Sequence, residues 1–279
     1  LSPTKEGHGA PAADRLAMAR LLAKGLPKTS VDTFELARRR RTYAYELLRY
    51  ARRHWPAAEL WFLIGSDSLA TLADWRRPSE LKRLGRWLVG KRPGAPAAAP
   101  AGFTVRRLKG LFPDIASTGL RARLYSGAGW KPLVEPAVAR TIERRGLYGT
   151  RIHEELARTL SPGRYRHTLG VAALAADLAG RHGFDPAAAA LAGLLHDCGR
   201  RFDPAGMARY ARERRLPVPS RELTLNRAPL LAHAYVSAEL ARRRFGVEDR
   251  EVLGAIAHHT LGRPKMTPFE RLLYVADIA

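Results

Sequence analysis

The chain has 279 residues, which suits two domains of about 100–150 residues each. Its composition, 46% hydrophobic and 27% charged, excludes a disordered chain, and its single cysteine excludes a disulfide scaffold and a zinc ribbon. The longest apolar run is too short to span a bilayer, and no secretion signal opens the chain. We therefore predict a soluble protein of the reducing cytoplasm, without a membrane partner.

The net charge is +22, from 48 basic and 26 acidic side chains, and 40 of the basic residues are arginine. This excess indicates polyanionic partners such as nucleic acid, nucleotides or phosphate metabolites, or else a bias toward arginine on solvated faces. No nucleic-acid motif or aromatic platform accompanies the arginines. Small nucleotides are therefore the favoured partners, and nucleic-acid binding is the weaker alternative.

Helical and strand-like patterns alternate over the first 149 residues. Helical spacing of apolar residues covers residues 12–24, 43–54, 117–124 and 136–145. Short apolar or β-branched runs, typical of strands, cover residues 30–34, 59–64, 86–89 and 103–107. This alternation predicts an α/β domain with a mostly parallel sheet.

Strand-like patterns end after Gly149, and long helical patterns rich in Ala, Leu and Arg follow. These patterns cover residues 164–181, 186–198, 204–214, 230–244, 249–258 and 268 onward. We therefore predict two domains, an α/β domain over residues 1–149 and an all-α domain over residues 150–279.

Six residues of the second half form a pattern of His, His-Asp, His, His and Asp. They are His167, His196, Asp197, His233, His259 and Asp277. Imidazole and carboxylate ligands suit iron, manganese, cobalt or zinc. The adjacent His196 and Asp197 can share one metal only where a helix distorts or ends, which Gly199 allows. A lone histidine on such a helix is ordinarily a core or rim residue, and we interpret His153 and His182 in that way.

This pattern resembles the HD phosphohydrolase superfamily. Residues 164–167, 192–197, 255–263 and 273–277 are similar to the bacterial HD-type symmetrical diadenosine tetraphosphate hydrolases. The resemblance implies metal-dependent hydrolysis of diadenosine tetraphosphate to two ADP, with the six residues as metal ligands. Iron is the first choice of metal, with manganese or cobalt as alternatives, and a deoxynucleotide triphosphohydrolase remains an open alternative.

The same resemblance gives roles to neighbours of the ligands. Asp197 would also be catalytic, and Arg200 would contact a phosphate group of the substrate. Arg201, Arg263 and Lys265 could help to neutralise developing phosphate charge. His259 rather than His258 is the expected ligand, and Cys198 is interpreted as a packing residue rather than a thiolate ligand.

The first half has no P-loop and no Gly-x-Gly-x-x-Gly segment. Its candidate ligand site begins where Gly65 and Asp67 follow a buried strand, with Trp75 shortly after. Ser117 and Thr118 open a predicted helix with an arginine one turn in, and free N–H groups at a helix N-terminus suit a phosphate.

These segments resemble bacterial nicotinate-nucleotide adenylyltransferase, which uses Mg-ATP and nicotinate mononucleotide. The resemblance implies that Trp75 stacks on the nicotinate ring and that main chain near Thr42 and Tyr43 binds its carboxylate. It also implies that Ser117, Thr118 and Arg121 hold ATP phosphates. The full set of expected nucleotide-binding residues is Lys5, Thr42, Tyr43, Gly65, Asp67, Trp75, Ser117, Thr118 and Arg121.

The family's opening strand and its Gly-x-Phe-Asp-Pro-x-His-x-Gly-His segment are not found in residues 1–149. We therefore expect a Rossmann-like nucleotidyltransferase domain with its first strand missing, a helical domain shortened at its end, and a longer natural product. The predicted function is a bifunctional enzyme that makes deamido-NAD and hydrolyses diadenosine tetraphosphate. The alternative is an HD hydrolase with a degenerate nucleotide-sensing α/β half; a homo-oligomer is left open.

Overall fold

A computed structural model describes residues 10–38, 40–90, 98–110 and 115–279. Two compact units form within these residues: Asp32–Ile115, and residues 10–31 together with Ala116–Ala279. A small parallel sheet with helices lies in the first unit, and the second is all-helical, so the predicted order of fold classes is confirmed. The domain division at residue 149 stays a prediction. Within the described ranges, no helix is long and apolar enough to cross a membrane.

The first unit is built on three parallel strands. After α1 (Ala12–Ala23), its elements are α2 (Phe34–Ala37), α3 (Ala44–His54), β1 (Trp61–Gly65), α4 (Ser66–Ala70), α5 (Pro78–Leu84), β2 (Arg86–Gly90) and β3 (Val105–Arg107). The strand order is β1-β2-β3, with Leu63 opposite Leu88 and Val89 opposite Arg107. Gly65 pairs with Gly90 at the carboxyl edge, the edge at which α/β sheets bind ligands.

The core of this unit surrounds Trp87, which is fully buried. The rings of Phe62, Trp75 and Phe103 contact the Trp87 ring at centroid distances of 5.3, 5.8 and 6.0 Å. Aromatic groups bury large apolar areas, so this cluster compensates for the small number of strands. The aromatic core therefore fixes the position of the Trp75 ring, which meets Trp87 edge-on.

The strand predicted at residues 30–34 is wrong, because helix α2 begins at Phe34. The Asp32 carboxylate accepts a hydrogen bond from the Phe34 N–H at 2.6 Å. This local Asx turn gives the backbone an alternative to pairing in a sheet. The other three predicted strands correspond to β1, β2 and β3.

The second unit contains α1 and ten later helices among its described residues. These are α6 (Ser117–Ser126), α7 (Pro136–Arg145), α8 (Thr150–Thr159), α9 (Pro162–Arg181), α10 (Pro186–Leu195), α11 (Pro204–Glu213), α12 (Arg221–Arg227), α13 (His233–Arg243), α14 (Arg250–His258) and α15 (Pro268–Ile278). The sequence pattern did not predict α8 and α12. Acidic or hydroxyl side chains cap the N-termini of several helices: Asp185, Asp203, Asp249 and Thr267.

Helix α10 is the centre of the helical core, since every residue from Ala187 to Leu195 is buried. It packs against α6, α9 and α14. The closest approach is at Gly193, where an added Cβ would lie 2.6 Å from the Ala172 Cα on α9. Only glycine permits this backbone contact, which sets the position of the end of α10.

Candidate metal centre

The structure brings the six predicted ligands together at the ends of several helices. His167 lies on α9 and Asp277 in the last turn of α15. The remaining four lie where a helix begins or ends: His196 and Asp197 follow α10, His233 opens α13, and His259 follows α14.

The end of α10 explains how the adjacent His196 and Asp197 reach one site. The helix ends at Leu195, and the chain then enters a 3₁₀ turn over Cys198–Arg201. Gly199 lets this turn lie against α13, because an added Cβ would come within 2.9 Å of the His233 carbonyl oxygen. The N–H of Gly199 donates to the Ser237 hydroxyl at 2.9 Å, which fixes the contact.

The six side chains form three overlapping triads, in each of which one ligand atom per residue lies within 4.8 Å of the others. The triads are His167–His196–Asp197, His196–His259–Asp277 and Asp197–His233–His259. His196, Asp197, His233 and His259 are buried, whereas the His167 side chain is 43% exposed. The cluster therefore has a buried base and one solvent-facing side.

Main-chain hydrogen bonds orient the three buried imidazoles in the same way. The Nδ1 atoms of His196, His233 and His259 lie 2.6, 2.7 and 2.7 Å from the carbonyl oxygens three residues earlier. A carbonyl oxygen only accepts, so each Nδ1 carries the hydrogen. Each Nε2 then directs a lone pair into the cluster, as in the outer-shell contacts that orient histidine ligands of metals.

Thr260 offers a hydroxyl to one of these lone pairs, at His233 Nε2, but the side chains of the six residues do not supply hydrogen donors for all three. The Nε2 atoms of His233 and His259 are 3.1 Å apart, and neither carries a hydrogen when both rings are neutral. The buried His196 Nε2 lies 3.2 Å from Asp277 Oδ1, but the two are not aligned as a hydrogen bond, and the nitrogen has no partner among the described residues. A shared cation would remove this conflict, and the mixed imidazole and carboxylate donor set fits a divalent transition metal.

The electrostatics of the cluster favour the ligating protonation states of Asp197 and His259. At His196, by contrast, burial is outweighed by the carboxylates of Asp277 and Asp197, which raise the pKa. Burial raises the pKa of Asp197, but His233, His196 and Arg164 together outweigh burial and hold that pKa well below its usual range. Burial and the neighbouring charges of His196 and His233 lower the pKa of His259 to about 3. Asp197 is therefore ionised and His259 neutral near pH 7, the forms in which both bind metals.

Two arginines contact Asp197. Arg164 Nη1 lies 2.7 Å from Asp197 Oδ2, and Arg200 Nε lies 3.4 Å from Oδ1. The sequence analysis expected Arg200 near the ligands and gave Arg164 no role. Arg164 precedes His167 by three residues, and this helical spacing places both on one face of α9, so the spacing contained the missed signal.

Two other arginines that were expected near the phosphate groups of the substrate pair with glutamates instead. Arg201 pairs with Glu155 at 2.9 Å, and Arg263 pairs with Glu270 at 3.0 Å. A phosphate role for these two residues therefore has no support from their contacts.

Three neighbours that resemble ligands lie outside the triads. His258 turns toward Glu270 and the Tyr235 ring. Cys198 is buried with its Sγ 3.5 Å from the Ser237 carbonyl oxygen, and burial raises the pKa of its thiol to about 12. The Thr260 hydroxyl lies 3.0 Å from the His233 Nε2 and is a polar neighbour to which the sequence analysis gave no role.

The expected nucleotide-binding residues of the first unit lie around the carboxyl edge of β1 and the start of α3. Gly65 ends β1 and Asp67 lies on α4. Thr42 is buried with a hydroxyl that has no hydrogen-bond partner in the described part of the chain, and the Arg76 guanidinium lies 4.5 Å from the centre of the Tyr43 ring. Trp75 donates its indole N–H to the Thr71 hydroxyl at 3.4 Å.

The remaining positions lie elsewhere. Ser117 and Thr118 are the first two residues of α6 in the second unit, and neither side chain caps the helix. Arg121 donates from Nε to the Ser117 carbonyl oxygen at 3.3 Å. Lys5 lies outside the described residues.

Known proteins are similar to both parts of the chain, the part with the sheet and the helical part with the metal cluster. The HD domain family matches residues 164–279. A probable nicotinate-nucleotide adenylyltransferase/Ap4A hydrolase from Mycoplasma pneumoniae is 29% identical over 280 residues, covering 99% of this chain and 75% of that protein. A probable nicotinate-nucleotide adenylyltransferase from Chromobacterium violaceum is 38% identical, covering 51% of this chain and 77% of that one. The symmetrical bis(5'-nucleosyl)-tetraphosphatase of Bacillus subtilis is 39% identical, covering 42% of this chain and 61% of that one.

Proposed function

The chain belongs to the nicotinate-nucleotide adenylyltransferase family and carries an HD domain, and we propose that it is a bifunctional enzyme of nucleotide metabolism. One activity transfers the adenylyl group of ATP to nicotinate mononucleotide, giving deamido-NAD and pyrophosphate. The other hydrolyses diadenosine tetraphosphate with one water to two ADP. The names of the full-length relatives, in which both activities are joined, support this pairing.

One observation supports the hydrolase activity above all others: the Nε2 atoms of His233 and His259 face each other at 3.1 Å. The residues that would hold the metal are His167, His196, Asp197, His233, His259 and Asp277. When bound, a divalent metal lowers the pKa of water toward neutrality and polarises a phosphoryl oxygen. Iron is the proposed metal, with manganese or cobalt as alternatives.

The chain's own groups bind and orient the substrate. The Nδ1 hydrogen bonds hold the buried imidazoles in one orientation, so their positions need little rearrangement during reaction. Arg164 and Arg200 lie beside Asp197, where their guanidinium groups can bind phosphate oxygens in the bidentate way that suits arginine. Asp197 is the proposed catalytic carboxylate, and Arg200 the proposed phosphate contact.

For the adenylyltransferase, we place the nicotinate ring on Trp75 and its carboxylate at main chain near Thr42 and Tyr43. Gly65 and Asp67 would line the nucleotide at the carboxyl edge of β1. ATP phosphates would bind Ser117 and Thr118 at the N-terminus of α6, together with Arg121 and Lys5, with Mg²⁺ accompanying the ATP. The phosphate of nicotinate mononucleotide attacks the α-phosphorus of ATP, and pyrophosphate leaves.

The test of the hydrolase uses His196→Ala and Asp197→Ala, with His182→Ala as the control. His182 is an exposed histidine that follows α9, so its loss removes an imidazole without touching the cluster. We expect the two cluster variants to lose bound metal and to lose diadenosine tetraphosphate hydrolysis more than about 100-fold, beyond the cost of removing an outer-shell partner. Metal content by mass spectrometry and ADP release give the two readouts. Full activity of metal-free His196→Ala would overturn the assignment.

A further inference from the structure

A second basic pocket lies in the helical unit and includes none of the six cluster residues. Its cavity volume is about 500 Å³, within the range of small-molecule sites. The walls contain four arginines and two aromatic rings: Arg201, Arg214, Arg243, Arg244, Phe202 and Tyr210. The functions proposed for the two catalytic sites do not use these residues.

The two aromatic rings are stacked on each other, and an arginine lies over each of them. Phe202 and Tyr210 are stacked at a centroid distance of 5.2 Å with an interplanar angle of 28°. Arg201 lies 5.9 Å from the Phe202 ring centre, and Arg214 lies 5.7 Å from the Tyr210 ring centre. A guanidinium that lies over a ring face leaves its N–H edge available to an anion, as at Arg214; Arg201 instead donates from Nη1 to Glu155.

Carboxylates do not balance the positive charge of this pocket. Glu155 is shared by Arg201 and Arg244. Glu239 is shared by Arg243 and a further arginine on α13, Arg242. Arg214 has no carboxylate partner within the described part of the chain, and its side chain lies on Tyr210. Each glutamate therefore offsets only one of the two guanidinium groups that it contacts, and an anion would complete the site.

We propose that this pocket binds the phosphate chain of a small polyphosphate anion, as a site separate from both catalytic centres. The phosphates contact the Arg214 guanidinium and the Nη groups of Arg243 and Arg244, whose Nε atoms are the ones that meet the glutamates. The ligand chemistry is a short chain of linked phosphates, whether free or attached to a nucleoside. The volume accommodates either form, and the aromatic stack supports the arginines rather than holding a base.

The experiment is calorimetric titration of the full chain with tripolyphosphate, comparing the wild type, Arg214→Glu and Arg209→Glu. Arg209 is exposed on α11, the same helix that Arg214 follows, but it does not line the pocket. Both substitutions change the net charge equally, so general electrostatic attraction weakens equally in both. Because Arg214 has no carboxylate partner among the described residues, replacing it leaves no carboxylate unpaired and should not disturb folding.

We expect Arg214→Glu to weaken tripolyphosphate binding at this site at least about tenfold and Arg209→Glu to leave it nearly unchanged. Hydrogen exchange should also slow in segments 201–214 and 240–244 when tripolyphosphate binds to the wild type. Equal weakening of tripolyphosphate binding in both variants would overturn the proposed phosphate site. Unchanged hydrogen exchange in these two segments would overturn it as well.

Two further titrations identify the form of the ligand. ATP binding at this pocket with a sensitivity to Arg214→Glu equal to that of tripolyphosphate would support recognition of the phosphates alone. Adenosine, which has no phosphate, should not bind there, and protection of the same segments by adenosine would refute the proposal. None of these readouts depends on turnover, so failure of the proposed hydrolase and failure of this pocket give different results.

Discussion

Two kinds of histidine in the helical unit differ in what their nitrogens contact. The three buried cluster histidines, His196, His233 and His259, donate from Nδ1 and leave Nε2 facing other imidazoles or carboxylates. His153 has both nitrogens satisfied: Nε2 donates to the Leu124 carbonyl oxygen at 2.8 Å, and Nδ1 accepts from the Tyr165 hydroxyl at 2.9 Å. His153 is therefore a structural residue that joins α8 to α6 and α9, as a lone histidine was expected to be.

His153 should contribute to the acid sensitivity of stability. Burial lowers the pKa of His153 below its ordinary 6.5, and the hydrogen bond to Leu124 only partly opposes this. As the pH falls below 6.5, the unfolded chain gains a proton at this position while the folded chain does not, so stability is lost, by at most about 1.4 kcal/mol per pH unit. We expect His153→Gln, whose amide can both donate and accept, to melt with a shallower pH dependence than the wild type.

The measurement is the thermal midpoint at pH 7.5, 6.5 and 5.5. His182→Gln is the matched control, because it removes an exposed histidine, and it should keep the wild-type dependence. An identical pH dependence in His153→Gln and the wild type would show that His153 does not contribute to this loss.

At the scale of elements, the metal cluster depends on how closely α9 and α10 pack. Gly193 supplies both the close approach to Ala172 and the carbonyl that accepts from His196 Nδ1. A change in the spacing of these helices would therefore also move a ligand, because the same residue fixes the helix contact and the imidazole orientation.

Gly193→Ala should separate the two helices. The added Cβ would lie 2.6 and 2.8 Å from the Cα and N atoms of Ala172, which are backbone atoms that cannot turn aside. We expect a loss of about 1–3 kcal/mol of stability from overpacking, accompanied by reduced metal content. Chemical denaturation and metal analysis of the same preparation measure both effects.

Gly170→Ala provides the contrast on α9. An added Cβ there has no atom within 4 Å, and alanine is favoured over glycine in a helix by up to about 1 kcal/mol. We expect this variant to be as stable as the wild type or more so, with its metal retained. Equal destabilisation by both alanines would contradict the close-packing argument.

At the scale of the whole molecule, the sequence predicted what depends on order and periodicity. It predicted β1 because a short apolar run before a glycine is typical of a buried parallel strand, and it predicted β2 and β3 from shorter strand-like runs. The burial expected for β1 is incomplete, since Leu63 is 62% exposed. It also selected six residues that come together, because their order along the chain resembles a known family.

Features that depend on local hydrogen bonds or on distant packing were not predicted. Residues 30–34 were expected to form a strand, but the Asp32 carboxylate accepts a hydrogen bond from the Phe34 N–H, and a turn and helix α2 form there instead. The partners of Arg201 and Arg263 are Glu155 and Glu270, and the first of these lies 46 positions away in the chain. An arginine next to a sequence motif therefore identifies a positive charge but not its partner. The packing of the other helices decides whether that arginine pairs with a carboxylate or faces the substrate.

The two proposed activities should be separable at the nicotinate ring, because Trp75 and the metal ligands lie in different compact units. Trp75 belongs to the aromatic core of the first unit, and the metal cluster belongs to the second. We expect Trp75→Ala to raise the KM for nicotinate mononucleotide at least about fivefold, since stacking on a base-like ring contributes about 1–3 kcal/mol. Hydrolysis of diadenosine tetraphosphate should be unchanged. Trp55→Ala, which removes a 53% exposed indole from the same unit, is the control and should leave both activities intact. Equal loss of both activities in Trp75→Ala would contradict their separation, and an unchanged KM would remove Trp75 from the nicotinate site.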